Sequence, residues 1–470
     1  MKTKLFTTLL ALGVGSTCQA EVGFHPLFAD HAVLQQGRPV KVWGRATTES
    51  RVTVTYRNHR VEAPVVDGEW RALLPALSPG SPSELVVEGE NRVVAKDVVV
   101  GEVWIASGQS NMLFRLGSST GGNEAVAQAQ DADLRFFQLD RKADRPNPYA
   151  IASSWRVTSP ESVRGLSAVA YYCARDLRRE LQVPIGIIQN AWGGSTGEAW
   201  INEPVEAAIY EQKLFQRSRG ALYKGMVEAI SPYTVRGVWW YQGEANRGRP
   251  EQYDGIFARL MSDWRGAFDA PELPFLYVQL PVFVGKGRSP EGTVLARFRE
   301  AQLKLLRYPN TGMVVSIDTG DPLDIHPKVK QPIGERLAQL ALAKVYGKAN
   351  AALCPVPEAF SFEDGVAIVR LLGVKDGLST SDGLAPQSFS IAGADRVFHA
   401  AEARLEGGRI IVKSGRVETP VAVRYAFSDQ PLPAPNVVNS AGFPISPFRS
   451  DDWSLPRAEA EAAAPTDHDN

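Results

Sequence analysis

Ser110 follows an apolar, β-branched run from Val98 to Ala106 and is separated from it by Ser107-Gly108-Gln109. Such a run reads as a buried strand, and the glycine ends it, so a hydroxyl is delivered at a strand end. In a parallel α/β sheet, ligands gather at the C-terminal strand ends, which makes Ser110 a candidate nucleophile for acyl transfer. The competing reading is that Ser107 or Ser110 caps the next helix, since serine is a preferred N-cap. Acyl transfer also needs a base, a group that orients it, and donors for the developing oxyanion. His326 lies in the α/β stretch, whereas the other five histidines, at 25, 31, 59, 399 and 468, lie in β stretches or the tail. Asp324, two residues before it, can reach an imidazole from the same loop, and Asp321 is the reserve. Gly193-Gly-Ser195-Thr-Gly197 matches G-x-S-x-G, the nucleophile elbow, and makes Ser195 a second candidate. Elbow enzymes draw acid and histidine from separate loops. Here both candidates share one, so Gly193 and Gly194 read as a turn of backbone donors.

The elements that must hold these residues alternate between strand and helix. Strands are expected at Val98–Ala106, Val183–Gln189, Val235–Tyr241, Phe275–Leu280 and Gly312–Asp318. Helices are expected at Glu124–Gln130, Ser162–Leu181, Leu222–Ile230, Tyr253–Phe268, Leu295–Leu306 and Ile333–Tyr346, and Leu134–Leu139 sits in an excursion. Five strand-then-helix units predict an α/β fold with a doubly wound parallel sheet. Read at their ends, the strands deliver Ser110 and Asn111, then Gly193 and Gly194, then Gln242, Glu244 and Asn246, and finally Asp318, Asp321, Asp324 and His326.

Short alternating runs punctuated by Gly, Pro, Asn and Asp flank this unit. The expected division is a signal peptide at 1–20, a β-sandwich at 21–97, the α/β unit at 98–348, a C-terminal β region at 349–456 and a disordered tail at 457–470. The basic Met1-Lys-Thr-Lys4, the apolar Leu5–Val14 and Cys18-Gln-Ala20 make the signal pattern, which predicts a secreted or periplasmic protein. No later stretch is long and apolar enough to span a membrane. Lys+Arg total 51 against Asp+Glu 52, so no global field favours nucleic acid or an anionic membrane. Cys173 and Cys354 remain after the signal, either as one disulfide or as two buried thiols. No Cys/His cluster has zinc spacing, so no metal is expected, and no cofactor is required. The oligomeric state is not legible.

Gly101-Glu-Val-Trp-Ile-Ala-Ser-Gly-Gln-Ser110-Asn-Met112, Gln189-Asn-Ala-Trp-Gly-Gly194, Trp240-Tyr-Gln-Gly-Glu-Ala-Asn246 and Asp324-Ile-His-Pro-Lys328 together resemble the sialate O-acetylesterase family of SGNH (GDSL-type) hydrolases. The resemblance extends to Phe28–Gln35 and Val423–Asp429. It implies a flavodoxin-like five-stranded sheet, Ser110 as nucleophile, His326 as base, and oxyanion donors from the Ser110 backbone, Gly194 and a polar residue of the third block. That block departs from the usual Gly-x-Asn, leaving Gln242, ranked first, or Asn246. The family more often shows Asp-x-x-His than the Asp-x-His found here, which bears on Asp324. The implied activity is an exported esterase that releases acetyl groups from an O-acetylated carbohydrate. Acetylated sialic acid, whose carboxylate would call for Arg115, Arg247, Arg249 or Arg297, stands beside acetylated xylan or xyloglucan. Two other readings are a non-catalytic carbohydrate-binding protein and a glycosidase using Glu244 with Asp318, Asp321 or Asp324.

Overall fold

A computed structural model describes residues 21–47, 50–143, 145–202, 220 and 222–455. The expected signal peptide and tail lie outside the described residues.

Six strands build the central sheet: β1 (Arg92–Gly108), β2 (Asp131–Gln138), β3 (Ile185–Ala191), β4 (Gly237–Tyr241), β5 (Phe275–Val278) and β6 (Thr311–Val314). Their spatial order is β2-β3-β1-β4-β5-β6, and every neighbouring pair is parallel. The five strands expected from apolar runs are β1 and β3 to β6. β2 is a sixth, inside the segment read as an excursion, and Trp155–Thr158 adds an antiparallel edge to it. Every residue of β3, β4, β5 and β6 is buried, as expected for a parallel sheet covered on both faces. Helices Pro250–Ala267 and Val294–Lys304 pack together, as do Ala168–Leu181 and Gln331–Lys344. The chain runs β4 to β5 to β6 in one direction, so right-handed crossovers put the first pair of helices on one face. The strand order reverses at β1, the switch point of the sheet, where loops from opposite directions diverge and leave a crevice.

β1 is 17 residues long and belongs to two structures. Its first half pairs antiparallel with Ser83–Glu88 of the N-terminal β unit, and residues 99–101 pair with Val33–Gln35. Its second half is the centre of the parallel sheet. One hydrophobic core therefore runs from Val22 through Trp70 and Trp104 to Ala341. The C-terminal strands form separate antiparallel sheets over their own core of Val369, Ile391, Ile410, Val423 and Phe448. Among the described residues these strands do not pair with the N-terminal ones. The C-terminal unit is instead bolted on by Arg299, which is fully buried and donates to the carbonyls of Leu280, Pro281, Ser428 and Asp429. Burial pulls that guanidinium down to about 10. Cys173 and Cys354 are both buried and both free, the second of the two alternatives.

Where the two halves of β1 meet, Glu102 is fully buried. It accepts from Arg236 at 2.6 and 2.8 Å, from Gln35 at 3.0 Å and from Gln36 at 2.6 Å. Removing one member of a buried charged pair strands the other. Glu102→Ala is expected to lower unfolding stability by about 3–5 kcal/mol in urea titration, against under about 0.5 kcal/mol for Glu62→Ala on the surface.

Candidate active site

Gly108 is the residue at which β1, β3 and β4 end together, paired with both Ala191 and Tyr241. Its φ is +130°, and a Cβ there would sit 2.1 Å from the Tyr241 carbonyl oxygen, so only glycine allows the approach. The chain then extends through Gln109 and turns into the short helix Ser110–Leu113. Gln109, rather than a serine, holds the cap position, and no side chain caps this helix. The Ser110 hydroxyl is turned instead toward the loop after β6, where His326 Nε2 lies 2.8 Å from Oγ. Two residues 216 apart in sequence are thus joined across the switch point.

The loop bearing His326 is held from several sides. Asp324 Oδ1 accepts the backbone N–H of His326 at 2.8 Å, and Asp321 Oδ1 accepts those of Leu323 and Asp324. Asp324 therefore braces the loop through its backbone; among the described residues no hydrogen bond joins its carboxylate to the imidazole. Thr120 N–H donates to the Lys328 carbonyl at 2.9 Å. Asn111 Nδ2 donates to the carbonyl of Ile325, immediately before the histidine, at 2.9 Å. Asp318 is occupied elsewhere, in a two-pronged pair with Arg336.

The turn after β3 lies on the other side of Ser110. A Cβ on Gly193 would meet Ser110 Cβ at 3.7 Å, and Gly194 has a φ of +67°. Among the described residues, neither glycine's N–H donates to a protein group. Ser195 is 4 % exposed, donates to the Trp192 carbonyl at 2.8 Å and accepts the Trp200 indole N–H at 3.0 Å. The G-x-S-x-G serine is a structural residue of this turn.

The third block corrects the ranking of side-chain oxyanion donors. Gln242 and Asn246 are both fully buried. Gln242 Nε2 donates to Asn246 Oδ1 at 2.7 Å, with Gln109 Oε1 and the Ser195 carbonyl each at 3.2 Å. Its Oε1 accepts the Tyr253 hydroxyl. Asn246 Nδ2 donates to Glu198, which also pairs with Arg249. An amide nitrogen has only two hydrogens, so Gln242 has none left to offer a substrate. These amides tie the strand-end loops to one another.

One participant carried no sequence signal. Lys330, four residues after His326, reads as a solvated loop lysine, yet it is fully buried. Its Nζ donates to Asn111 Oδ1 at 2.5 Å and lies 5.0 and 5.4 Å from the ring centres of Phe114 and Tyr241. Burial pushes the ammonium down to about 7, with Glu244 and Asp324 opposing the shift. Asn111 Nδ2 also donates to Glu244, whose second carboxylate oxygen is buried without a partner among the described residues. Of the arginines considered for a substrate carboxylate, Arg249 pairs with Glu198, Arg297 with Glu251, and Arg247 stacks on Phe283. Arg115 is exposed. Among the described residues no group of His, Cys, Asp and Glu could hold a metal ion.

A serine hydroxyl hydrogen-bonded to an imidazole at a strand-end crevice is the arrangement of a serine acyl-transfer enzyme, the class that includes the carboxylic ester hydrolases. Comparison with known proteins narrows it. Residues 100–343 match the family described as carbohydrate esterase, sialic acid-specific acetylesterase. A solved carbohydrate acetylesterase from Xanthomonas citri is 38 % identical, with a TM-score of 0.85 over 92 % of this chain and 100 % of that one. Human sialate O-acetylesterase is 28 % identical over 366 residues, 67 % of this chain and 70 % of that one. The mouse enzyme is 26 % identical over 410 residues, 70 % of this chain and 75 % of that one. The chain belongs to the carbohydrate esterase family of sialic acid-specific acetylesterases.

Because the Ser195 hydroxyl satisfies a buried indole N–H, Ser195→Ala is expected to cost about 1–3 kcal/mol of stability, read as a lower urea midpoint at unchanged slope.

Proposed function

We propose that this protein is an exported serine esterase that removes O-acetyl groups from carbohydrates through an acetyl-enzyme. The observation that carries the reading is the 2.8 Å contact between Ser110 Oγ and His326 Nε2 at the switch point of the sheet. His326 takes the hydroxyl proton as Ser110 attacks the acetyl carbonyl, then returns it to the departing sugar oxygen. A water activated by the same imidazole attacks the acetyl-enzyme and releases acetate. The oxyanion is received by the backbone N–H groups of Ser110 and Gly194, a reading supported by the uncommitted glycine turn beside the nucleophile. Asp324 is the acidic partner; it holds the histidine loop through the backbone, and its charge favours the imidazolium that forms during attack.

With β2 set aside, β1, β3, β4, β5 and β6 follow the order 2-1-3-4-5, which supports the SGNH, flavodoxin-like assignment. The β1 strand crosses position 98, so we treat 21–97 and 98–348 as two units on a shared strand, with 349–456 as a third. Export rests on the N-terminal signal pattern. Among the described residues no helix is long and apolar enough to cross a membrane.

The substrate is an acetylated glycan, and the family's name favours sialic acid. Three of the four arginines considered for its carboxylate are engaged within the protein, which also keeps neutral glycans such as acetylated xylan or xyloglucan in view. A glycosidase reading is disfavoured because it leaves the Ser110–His326 contact without a role.

Acetate release from p-nitrophenyl acetate, from O-acetylated sialate and from acetylated xylan is the test. Ser110→Ala and His326→Ala are expected to lower kcat by about 10³-fold or more, while Ser195→Ala retains turnover. Asp324→Asn is expected to lose less than His326→Ala. Full activity in a folded Ser110→Ala protein would refute the assignment.

A further inference from the structure

Lys330, Asn111 and Glu244 lie within one loop's reach of the reacting pair, and the reaction as described uses none of them. Lys330 and Asn111 are fully buried and Glu244 is 5 % exposed. Burying a cation and an anion is costly unless each is met by a partner. Here they do not touch as a simple ion pair. The Asn111 amide stands between them, with its oxygen toward Lys330 Nζ at 2.5 Å and its Nδ2 toward Glu244 Oε1. A cation on the oxygen and an anion on the nitrogen fix which way the amide points, and both contacts are charge-assisted. The nitrogen's other hydrogen reaches the Ile325 carbonyl at 2.9 Å. Asn111 is bonded to Ser110, and Ile325 is bonded to His326. One amide therefore ties the chain beside the nucleophile to the chain beside the base.

Resting on the reading of Ser110 and His326 as the reacting pair, we infer that Lys330 and Glu244 are positioning residues that polarise and orient Asn111, and through it set the Ser110–His326 distance. The three come from three strand ends: Asn111 after β1, Glu244 after β4 and Lys330 after β6. The groups facing Lys330 are Glu244, Asp324, Asn111 and the rings of Phe114 and Tyr241. Burial holds the Tyr241 phenol well above its usual range, so this ring stays neutral. Lys330 itself is held down to about 7, so its charge is lost as pH rises through neutrality. The amide then loses its cationic anchor, and kcat falls on the alkaline side.

The experiment measures kcat and KM with p-nitrophenyl acetate across the neutral to alkaline range for wild type, Lys330→Gln, Glu244→Gln, the double variant and Ser110→Ala, each with a thermal melt. Each single variant leaves one buried charge without its opposite and is expected to lower kcat about tenfold or more, with KM within about twofold. Lys330→Gln is expected to lack the alkaline decline. The double variant, with two neutral amides around Asn111, is expected to lose less than the product of the single losses. Folded single variants with wild-type kcat and an unchanged alkaline limb, or losses that multiply in the double variant, overturn the inference. Should Lys330→Gln fail to fold, Glu244→Gln decides: wild-type kcat in that variant overturns it. Turnover surviving in Ser110→Ala overturns the esterase reading itself; an inactive Ser110→Ala beside unaffected Lys330 and Glu244 variants overturns only the positioning role.

Discussion

Everything in the site depends on how closely β1 and β4 approach at Gly108. The missing side chain there lets the Tyr241 carbonyl come within a distance that a methyl group would forbid, and Gln109 N–H then bonds that carbonyl at 3.0 Å. The register of three strands ends on this contact, and the loops carrying Ser110, Gly194 and Gln242 leave from it, while the loop of His326 arrives from β6. A sheet buried on both faces has little freedom to slide, because side chains are close-packed against helices on either side. The serine is therefore placed by the packing of the sheet. The polar contacts refine that placement; they do not create it.

That order explains which features the sequence made legible. Strands β1 and β3 to β6 are apolar runs bounded by glycine, proline or charge, and they read directly as buried strands. β2 escaped because Arg135 interrupts it. This arginine is 2 % exposed in the structure, satisfied by the Ala132 carbonyl and by Asp97, and nothing near it in sequence announces the Asp97 carboxylate. Ser110 and His326 were legible because chemistry restricts which residue types can serve and strand ends restrict where. Their companions were less so. Gln242 and Asn246 offer amides of the right type, but type says nothing about direction, and both amides turned inward. Lys330 shows the same limit from the other side. A lysine among polar neighbours is read as solvated, and its burial is decided by Asn111, Phe114 and Tyr241, none of which is close to it along the chain.

The two serines differ by their surroundings in the same way. Both sit in Gly- and Ser-rich turns at strand ends, and by local pattern Ser195 matches a better-known motif than Ser110 does. What divides them is their partner: Ser195 is spent on an indole and a carbonyl within its own turn, whereas Ser110 faces a titratable ring from a distant loop. A motif supplies a residue, and only its surroundings decide whether the hydroxyl is free to react.

Arg299 sets a limit on how this protein can change by exchange of parts. Its guanidinium is stripped of water and hydrogen-bonded to four carbonyls, two from the chain just after β5 and two from the C-terminal unit, whose Asp429 also sets a negative charge against it. A chain cut near residue 348 would keep the charge and lose half of its acceptors. Recombination that replaced the C-terminal unit would have to bring two carbonyls to the same place or replace the arginine at the same time. The unit is thus tied to the hydrolase part as a matter of solvation rather than of catalysis, and grafting a different C-terminal module onto this scaffold must begin at that buried cation.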